Sequence, residues 1–102
     1  MGSQNHSTSD ALIRRRIKNV ILKQHRERFG IDAKVVLEPT GYRNHLDLWV
    51  VSPKFARIPW DKGISMVWEW IENEISVKDW RRIMGTLTFS PAEARRLFGR
   101  AV

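Results

Sequence analysis

Residues that could perform catalysis or bind a metal are few, and their spacing matches no catalytic motif. The 102 residues contain no cysteine and three histidines, at His6, His25 and His45. The absence of cysteine excludes a disulfide scaffold, a thiolate zinc site and a cysteine nucleophile. The histidines do not fall at metal-motif spacing, and no Gly-x-Ser-x-Gly sequence indicates a serine nucleophile. A Ser/His/Asp arrangement formed only by the fold stays open, but we expect no enzyme, no catalytic residue, no metal and no cofactor.

Basic residues are the strongest functional signal. Lys and Arg outnumber Asp and Glu by 18 to 11, which gives a net charge of +7 and a pI of about 10.6. A pI above about 9 is typical of nucleic-acid-binding domains, in which cations neutralise phosphates. The basic residues concentrate on the first and last predicted helices, whereas a helix predicted over residues 64–75 carries Glu69, Glu72 and Glu74. This polarity favours a contact surface for nucleic acid; the alternative is a charged surface that only aids solubility.

The predicted contacts lie on the first helix, just before the second helix and just before the last strand. Lys62 followed by Gly63 would place a cation and backbone N–H groups at a helix N-terminus, where phosphate groups bind. The predicted nucleic-acid contacts are Arg14, Arg15, Lys18, Lys62, Arg81 and Arg82.

Exposed tryptophans offer a second kind of binding surface. Trp49 alternates with the apolar residues of its strand, so it should point to an uncovered sheet face near Thr86 and Thr88. Trp70 falls off the apolar stripe of its helix, close to Met66. Such aromatics are typical of base-stacking platforms and equally of protein-interface hot spots. We expect Trp49 to stack on a base, and Met66 with Trp70 to contact a protein; the alternative is that the last helix or the tail covers them.

The elements follow from periodicity and from cap residues. An apolar stripe at helical spacing predicts a first helix over residues 10–28, and Gly30 would end it. Alternating apolar residues predict strands over 33–38, 45–52 and 83–89, the first two joined by a Pro/Gly loop. A capping box of Ser90 and Glu93 opens the last helix. The stripe of the second helix is Ile64, Val67, Trp68, Ile71 and Ile75.

This order predicts an α+β fold, α-β-β-α-β-α, in one domain. The step from the second strand to the third should be a right-handed crossover, which makes these strands parallel. We expect a three-stranded mixed sheet with the helices on one face, formed by residues 10–102, and a flexible polar tail over residues 1–9. The tail has no apolar segment typical of a signal peptide, and no apolar run approaches the roughly 20 residues of a membrane span. We expect a cytoplasmic protein without membrane contact.

Three short segments carry a resemblance to a known family. Val50-Val51-Ser52-Pro53-Lys54-Phe55 is similar to a strand that ends in Val-Ser-x-x-Phe, and Leu87-Thr88-Phe89-Ser90 is similar to that family's last strand and final helix. The spacing from Phe55 to Met66-Val67-Trp68 resembles its loop into the second helix. Over about residues 11–97 the sequence thus resembles the BolA family, a variant of the type II KH fold.

The resemblance implies two activities. One is DNA binding linked to transcription regulation, and the other is partnership with a monothiol glutaredoxin around a shared iron–sulfur cluster. The family's cluster histidines would fall near Ile64 and Arg82 of this sequence, which are not histidines. Cluster ligation is therefore not expected of this sequence. DNA binding is expected, because it depends on a positive surface.

The sequence predicts a non-catalytic nucleic-acid-binding module. The resemblance favours DNA over RNA as its ligand, since the Gly-x-x-Gly of ordinary KH domains is missing. The alternative is an adaptor, a BolA-like partner of a glutaredoxin or another protein, that docks through its exposed tryptophans.

Overall fold

The structure, a computed structural model, describes the backbone of residues 2–99 and the side chains of residues 10–99. Its elements are α1 (Gly2–Phe29), β1 (Lys34–Pro39), β2 (Leu46–Val51), the 3₁₀ helix η1 (Pro53–Arg57), α2 (Trp60–Glu74), α3 (Val77–Trp80), β3 (Ile83–Phe89) and α4 (Pro91–Phe98). The α+β class, the element order and the three-stranded mixed sheet are confirmed.

The sheet has the order β1-β2-β3, and its two pairings run in opposite senses. β1 is antiparallel to β2, with Lys34 opposite Val51. β2 is parallel to β3, with Val51 opposite Phe89. Both parallel strands therefore end at the same sheet edge, and β1 begins there. We call this the carboxyl edge; η1 and α2 follow it from β2, and α4 follows it from β3.

The main core lies between one sheet face and the helices α1 and α2. The predicted stripe of α1 is confirmed, since Ile17 and Ile21 are fully buried and Ile13 and Val20 pack against the same cluster. Gly30, with a φ of +74°, ends the helix as predicted. From the sheet the core receives Val35, Leu48, Val50 and Ile83, and from α2 it receives Val67, Trp70 and Ile71.

The other sheet face is covered by α4, so the helices do not all lie on one face. Val51, Phe89 and Ala94 form a second buried cluster there, and Trp49 packs against it. The Trp49 ring lies 5.2 Å from the ring of Phe98, centroid to centroid. The prediction that Trp49 points to an uncovered face is therefore wrong, and the alternative, in which the last helix covers it, holds.

The register of β3 explains the error about the neighbours of Trp49. Trp49 is opposite Leu87, whereas Thr86 and Thr88 are opposite Leu48 and Val50 and share the face of α1 and α2. The alternating pattern of β3 shows two sets of residues but not which set faces the larger core. Here the threonines face it, and Leu87 and Phe89 face α4.

The second helix is rotated relative to its predicted stripe. Trp70 is buried, at 7% exposure, and belongs to the core. Met66 is half-buried against the same cluster, and Trp68 packs at the core margin with its ring 5.4 Å from that of Trp80. The prediction of an exposed Met66–Trp70 docking pair is therefore wrong. α2 begins at Trp60, four residues before the predicted start, so the residues of its first turn also take part in packing.

The first helix begins before the predicted start. Its backbone is helical from Gly2, across the residues predicted as a tail. The side chains of residues 1–9, including His6, and the whole of residues 100–102 lie outside the described part, so the flexibility of the tail stays a prediction. Within the described residues, no helix is long and apolar enough to cross a membrane.

Gly63 allows the close approach of α2 to β3. A Cβ at this position would lie 2.9 Å from Oγ1 of Thr88 and 3.4 Å from the Phe55 ring. Thr88 and Phe55 are both buried, so neither side chain can move away freely. Gly63 was predicted to lie just before the helix, but it lies within the first turn, where packing leaves no room for a larger residue.

We predict that Gly63→Ala destabilises the domain by about 1 kcal/mol. Overpacking costs about 1–3 kcal/mol, and the gain from replacing glycine within a helix offsets up to about 1 kcal/mol of it. Urea unfolding measures the change, with exposed Ser65→Ala on the same helix as control. Adding Thr88→Ala should relieve part of the cost of Gly63→Ala; strictly additive effects of the two substitutions would contradict the packing argument.

Candidate nucleic-acid interface

Two cations of α1 lie beside acidic residues from neighbouring elements. Arg16 lies 3.9 Å from a carboxylate oxygen of Asp79, and Lys23 lies 3.9 Å from one of Glu74. The acidic end of α2 and the start of α3 thus lie beside the basic helix. The charge polarity of the sequence therefore produces partly compensating pairs along α1.

Two more of the predicted contacts are engaged by one carboxylate. Arg14 Nε lies 3.5 Å from Oδ2 of Asp10, and Nη2 of Arg82 donates to Oδ1 of the same residue. Arg82 Nε also donates to the carbonyl of Asn44 at 2.9 Å. Arg82 therefore ties α1 to the β1–β2 loop and to the start of β3. Its side chain is 18% exposed, so it has little surface left for a phosphate.

The remaining predicted cations are exposed but lie in different places. Arg15 and Lys18 are exposed on α1, and Arg81 is exposed just before β3. Lys62 lies at the opposite edge of the sheet, because α2 starts after the carboxyl end of β2. The predicted set therefore does not form one continuous surface.

The carboxyl edge gathers a different group of cations. Because β1 starts there and η1, α2 and α4 follow from it, short-range chain geometry brings their basic residues to one end of the molecule. These exposed residues, which we call the carboxyl-edge patch, are Lys34, Lys54, Arg57, Lys62 and Arg96. None of them forms an ion pair with another described side chain. Asp32, Asp61 and Glu93 are the acidic residues nearest to them in the sequence, and Asp32 is paired with Arg26.

An exposed aromatic, Trp60, lies within the carboxyl-edge patch. It is 58% exposed, although it is the first residue of α2 and its indole N–H donates to the carbonyl of Thr88 at 3.1 Å. Trp60 and Arg96 line the same groove, about 400 Å³ in volume, between the start of α2 and α4. Sequence reasoning missed this residue because it was placed in a loop; the signal was Pro59 before a helical run, since proline often precedes or opens a helix.

Beneath the patch, a buried histidine links α1 to the end of β2. His25 Nδ1 lies 2.8 Å from the carbonyl of Ile31, and Nε2 lies 2.7 Å from Oγ of Ser52. The carbonyl can only accept, so Nδ1 carries the proton and Nε2 accepts from the serine hydroxyl. Ser52 Oγ also accepts from the backbone N–H of Lys54, and so caps η1. His25 follows Ile17 and Ile21 at intervals of four, a spacing that marks it as a core position.

His25 and Ser52 are residue types that can serve as a base and a nucleophile, but neither side chain is accessible to a substrate. Both residues are fully buried. The serine oxygen is already used at the start of η1, so the pair is suited to holding the fold. Among the described side chains, no group of three or more His, Cys, Asp or Glu is placed to bind a metal ion.

No protein-family model, no curated protein and no solved structure matches this chain. The resemblance to the BolA family stays a prediction.

The buried histidine makes stability depend on pH. Burial lowers the pKa of His25 from the usual 6.5; Lys54 acts in the same direction, while the bond to Ile31 and the charge of Asp32 oppose it. The unfolded chain then binds the proton more readily, so the stabilisation present above about pH 6.5 is lost as the pH falls through the lowered pKa. The free energy of unfolding should fall between about pH 7.5 and pH 5.

We predict that His25→Gln flattens this part of the pH profile, even if the variant is less stable at neutral pH. Urea unfolding at several pH values measures it, and His45→Gln, at a half-buried histidine near Tyr42, serves as control. If the slope persists unchanged in His25→Gln, the acid sensitivity does not come from this residue.

Proposed function

We propose that this chain is a non-catalytic module that binds nucleic acid through the carboxyl-edge patch, with DNA as the expected ligand. The observation that carries the proposal is the convergence of unpaired cations from β1, η1, α2 and α4 on one sheet edge, beside the exposed Trp60. Cations in such an arrangement can follow a phosphate backbone, and each phosphate contact releases condensed counterions.

The distribution of ion pairs supports this placement. Arg14, Arg16, Lys23, Arg26 and Arg82 are each paired with a carboxylate, and none of them belongs to the carboxyl-edge patch. A paired cation must give up its carboxylate before it can bind a phosphate, whereas an exposed unpaired one loses only water and counterions. Glu93 is adjacent, but its carboxylate accepts the backbone N–H of Ser90 in the capping box, which holds it at the start of α4.

The adaptor hypothesis loses the residues on which it depended. Trp70 is a core residue, Met66 is half-buried, and Trp49 packs against Phe98. These side chains contribute to the folding of this domain, so removing them would test stability before it tested docking.

We predict that the triple variant Lys54→Gln/Arg57→Gln/Lys62→Gln weakens binding to short duplex DNA and lowers its salt dependence. Each lost phosphate contact should reduce the slope of log affinity against log salt by about 1. Fluorescence anisotropy between about 50 and 200 mM salt measures both quantities.

The matched control removes the same charge far from the patch, in Arg43→Gln/Lys78→Gln/Arg81→Gln, all exposed residues outside the carboxyl edge. It should change the slope little, and Arg15→Gln/Lys18→Gln reports on α1 separately. Loss of binding in either of these variants, with binding retained in the patch variant, would place the interface elsewhere. No binding by the wild type to duplex or single-stranded DNA at the lower salt would refute the proposal.

A further inference from the structure

Trp60 is held in a fixed orientation while much of its surface stays open. The indole N–H is bonded to the Thr88 carbonyl, at the end of β3, and the residue is 58% exposed. A buried tryptophan needs no further explanation, but an exposed and anchored one has already lost much of its rotamer freedom on folding. A planar ligand that stacks on it therefore pays little additional ordering cost.

The groove beside Trp60 combines an apolar floor with a charged rim. Trp60, Phe89 and Leu97 provide the apolar lining, and Arg96 and Glu93 provide the polar one. Leu97 is 63% exposed, so the groove is open to solvent on the α4 side. Its volume of about 400 Å³ is within the range of about 300–1,000 Å³ of small-ligand sites.

The charges select among planar ligands. Arg96 lines the groove and has no ion pair with a described side chain. The Glu93 carboxylate, in contrast, accepts a hydrogen bond from the backbone N–H of Ser90. A ligand with an aromatic plane and an adjacent anion fits both features, because the plane can stack on the indole and the anion can pair with the guanidinium. A nucleotide within a strand has this chemistry, and its base is free to stack only where the strand is unpaired.

We propose that the groove between α2 and α4 binds one unpaired base of a single-stranded nucleic acid, stacked on Trp60, with a neighbouring phosphate on Arg96. This inference rests on the proposed function and deepens it, since it names the unpaired strand as the ligand. The rest of the carboxyl-edge patch then binds flanking phosphates without reading the sequence.

The test compares two single-stranded ligands of about ten nucleotides, a length within the usual range for such sites. One is oligothymidylate, and the other is a deoxyribose-phosphate oligomer of equal length without bases. The wild type should bind the base-bearing strand about 5- to 150-fold more tightly, the range that stacking of a base on an aromatic side chain gives. Trp60→Ala should lose this preference and keep its affinity for the abasic strand.

Several variants separate stacking from folding. Trp60→Phe loses the bond to Thr88 but keeps an aromatic plane, so it should retain most of the preference. Quenching of tryptophan fluorescence by oligothymidylate should largely disappear in Trp60→Phe and persist in Trp80→Phe, a half-buried residue on α3. Arg96→Gln should lower the salt slope by about 0.7, the value for one contact to a single strand, and the adjacent exposed Arg95→Gln should lower it less.

The outcomes distinguish this inference from the proposed function. Equal binding of base-bearing and abasic strands by the wild type would overturn stacking on Trp60 while leaving phosphate binding intact. The same result is expected if Trp60 contacts a protein partner and not a base. Binding of neither strand and of no duplex would overturn the proposed function as well.

Discussion

The parallel pairing of β2 with β3 is the constraint on which the rest of the molecule depends. Parallel strands end at the same edge, so whatever follows them in the chain must start there. η1 and α2 follow β2, and α4 follows β3, and because β1 is antiparallel it starts at this edge too. Cations that are far apart in the sequence, such as Lys34 and Arg96, are thereby brought to one end of the fold without any direct contact between them.

The same edge is fixed by hydrogen bonds between elements. His25 joins the Ile31 carbonyl to Ser52, and the indole of Trp60 joins the start of α2 to the end of β3. Ile31 follows the end of α1, Ser52 directly follows β2, and Thr88 is the last residue but one of β3. A buried polar group that loses its partner costs about 1–3 kcal/mol, so the buried His25–Ser52 bond holds the end of β2 against α1 in one geometry. A binding surface on such a support needs little rearrangement when a ligand arrives.

Local patterns in the sequence were sufficient for the elements but not for their contacts. The stripe of α1, the Ser90–Glu93 capping box and the limits of β3 all follow from near neighbours in the chain, and they are confirmed. The placement of Trp49 and Trp70 depends on which sheet face α4 covers and on how far α2 extends towards its N-terminus. Both are decided by packing between distant residues, such as Gly63 against Thr88, and no local period contains that information.

The predicted contact residues do not lie together on one surface. Counting cations identified Arg14 and Arg82, which the fold pairs with Asp10, and only Lys62 of the predicted set lies in the carboxyl-edge patch. Ion pairs between elements are set by the tertiary fold, so a surplus of charge in the sequence does not show which charges remain unpaired. The aromatic residue of the proposed site, Trp60, was missed because helix ends are hard to place from sequence alone.

The most direct test of the central claim is an NMR titration of the labelled protein with a short oligonucleotide, following each backbone amide. The largest shifts should map to residues 53–63 and 90–97, around the carboxyl edge, with small changes over the first half of α1 and at Arg81 and Arg82. Shifts concentrated on α1 and at Arg81 and Arg82 would contradict the placement of the interface, and the absence of shifts throughout would contradict nucleic-acid binding itself.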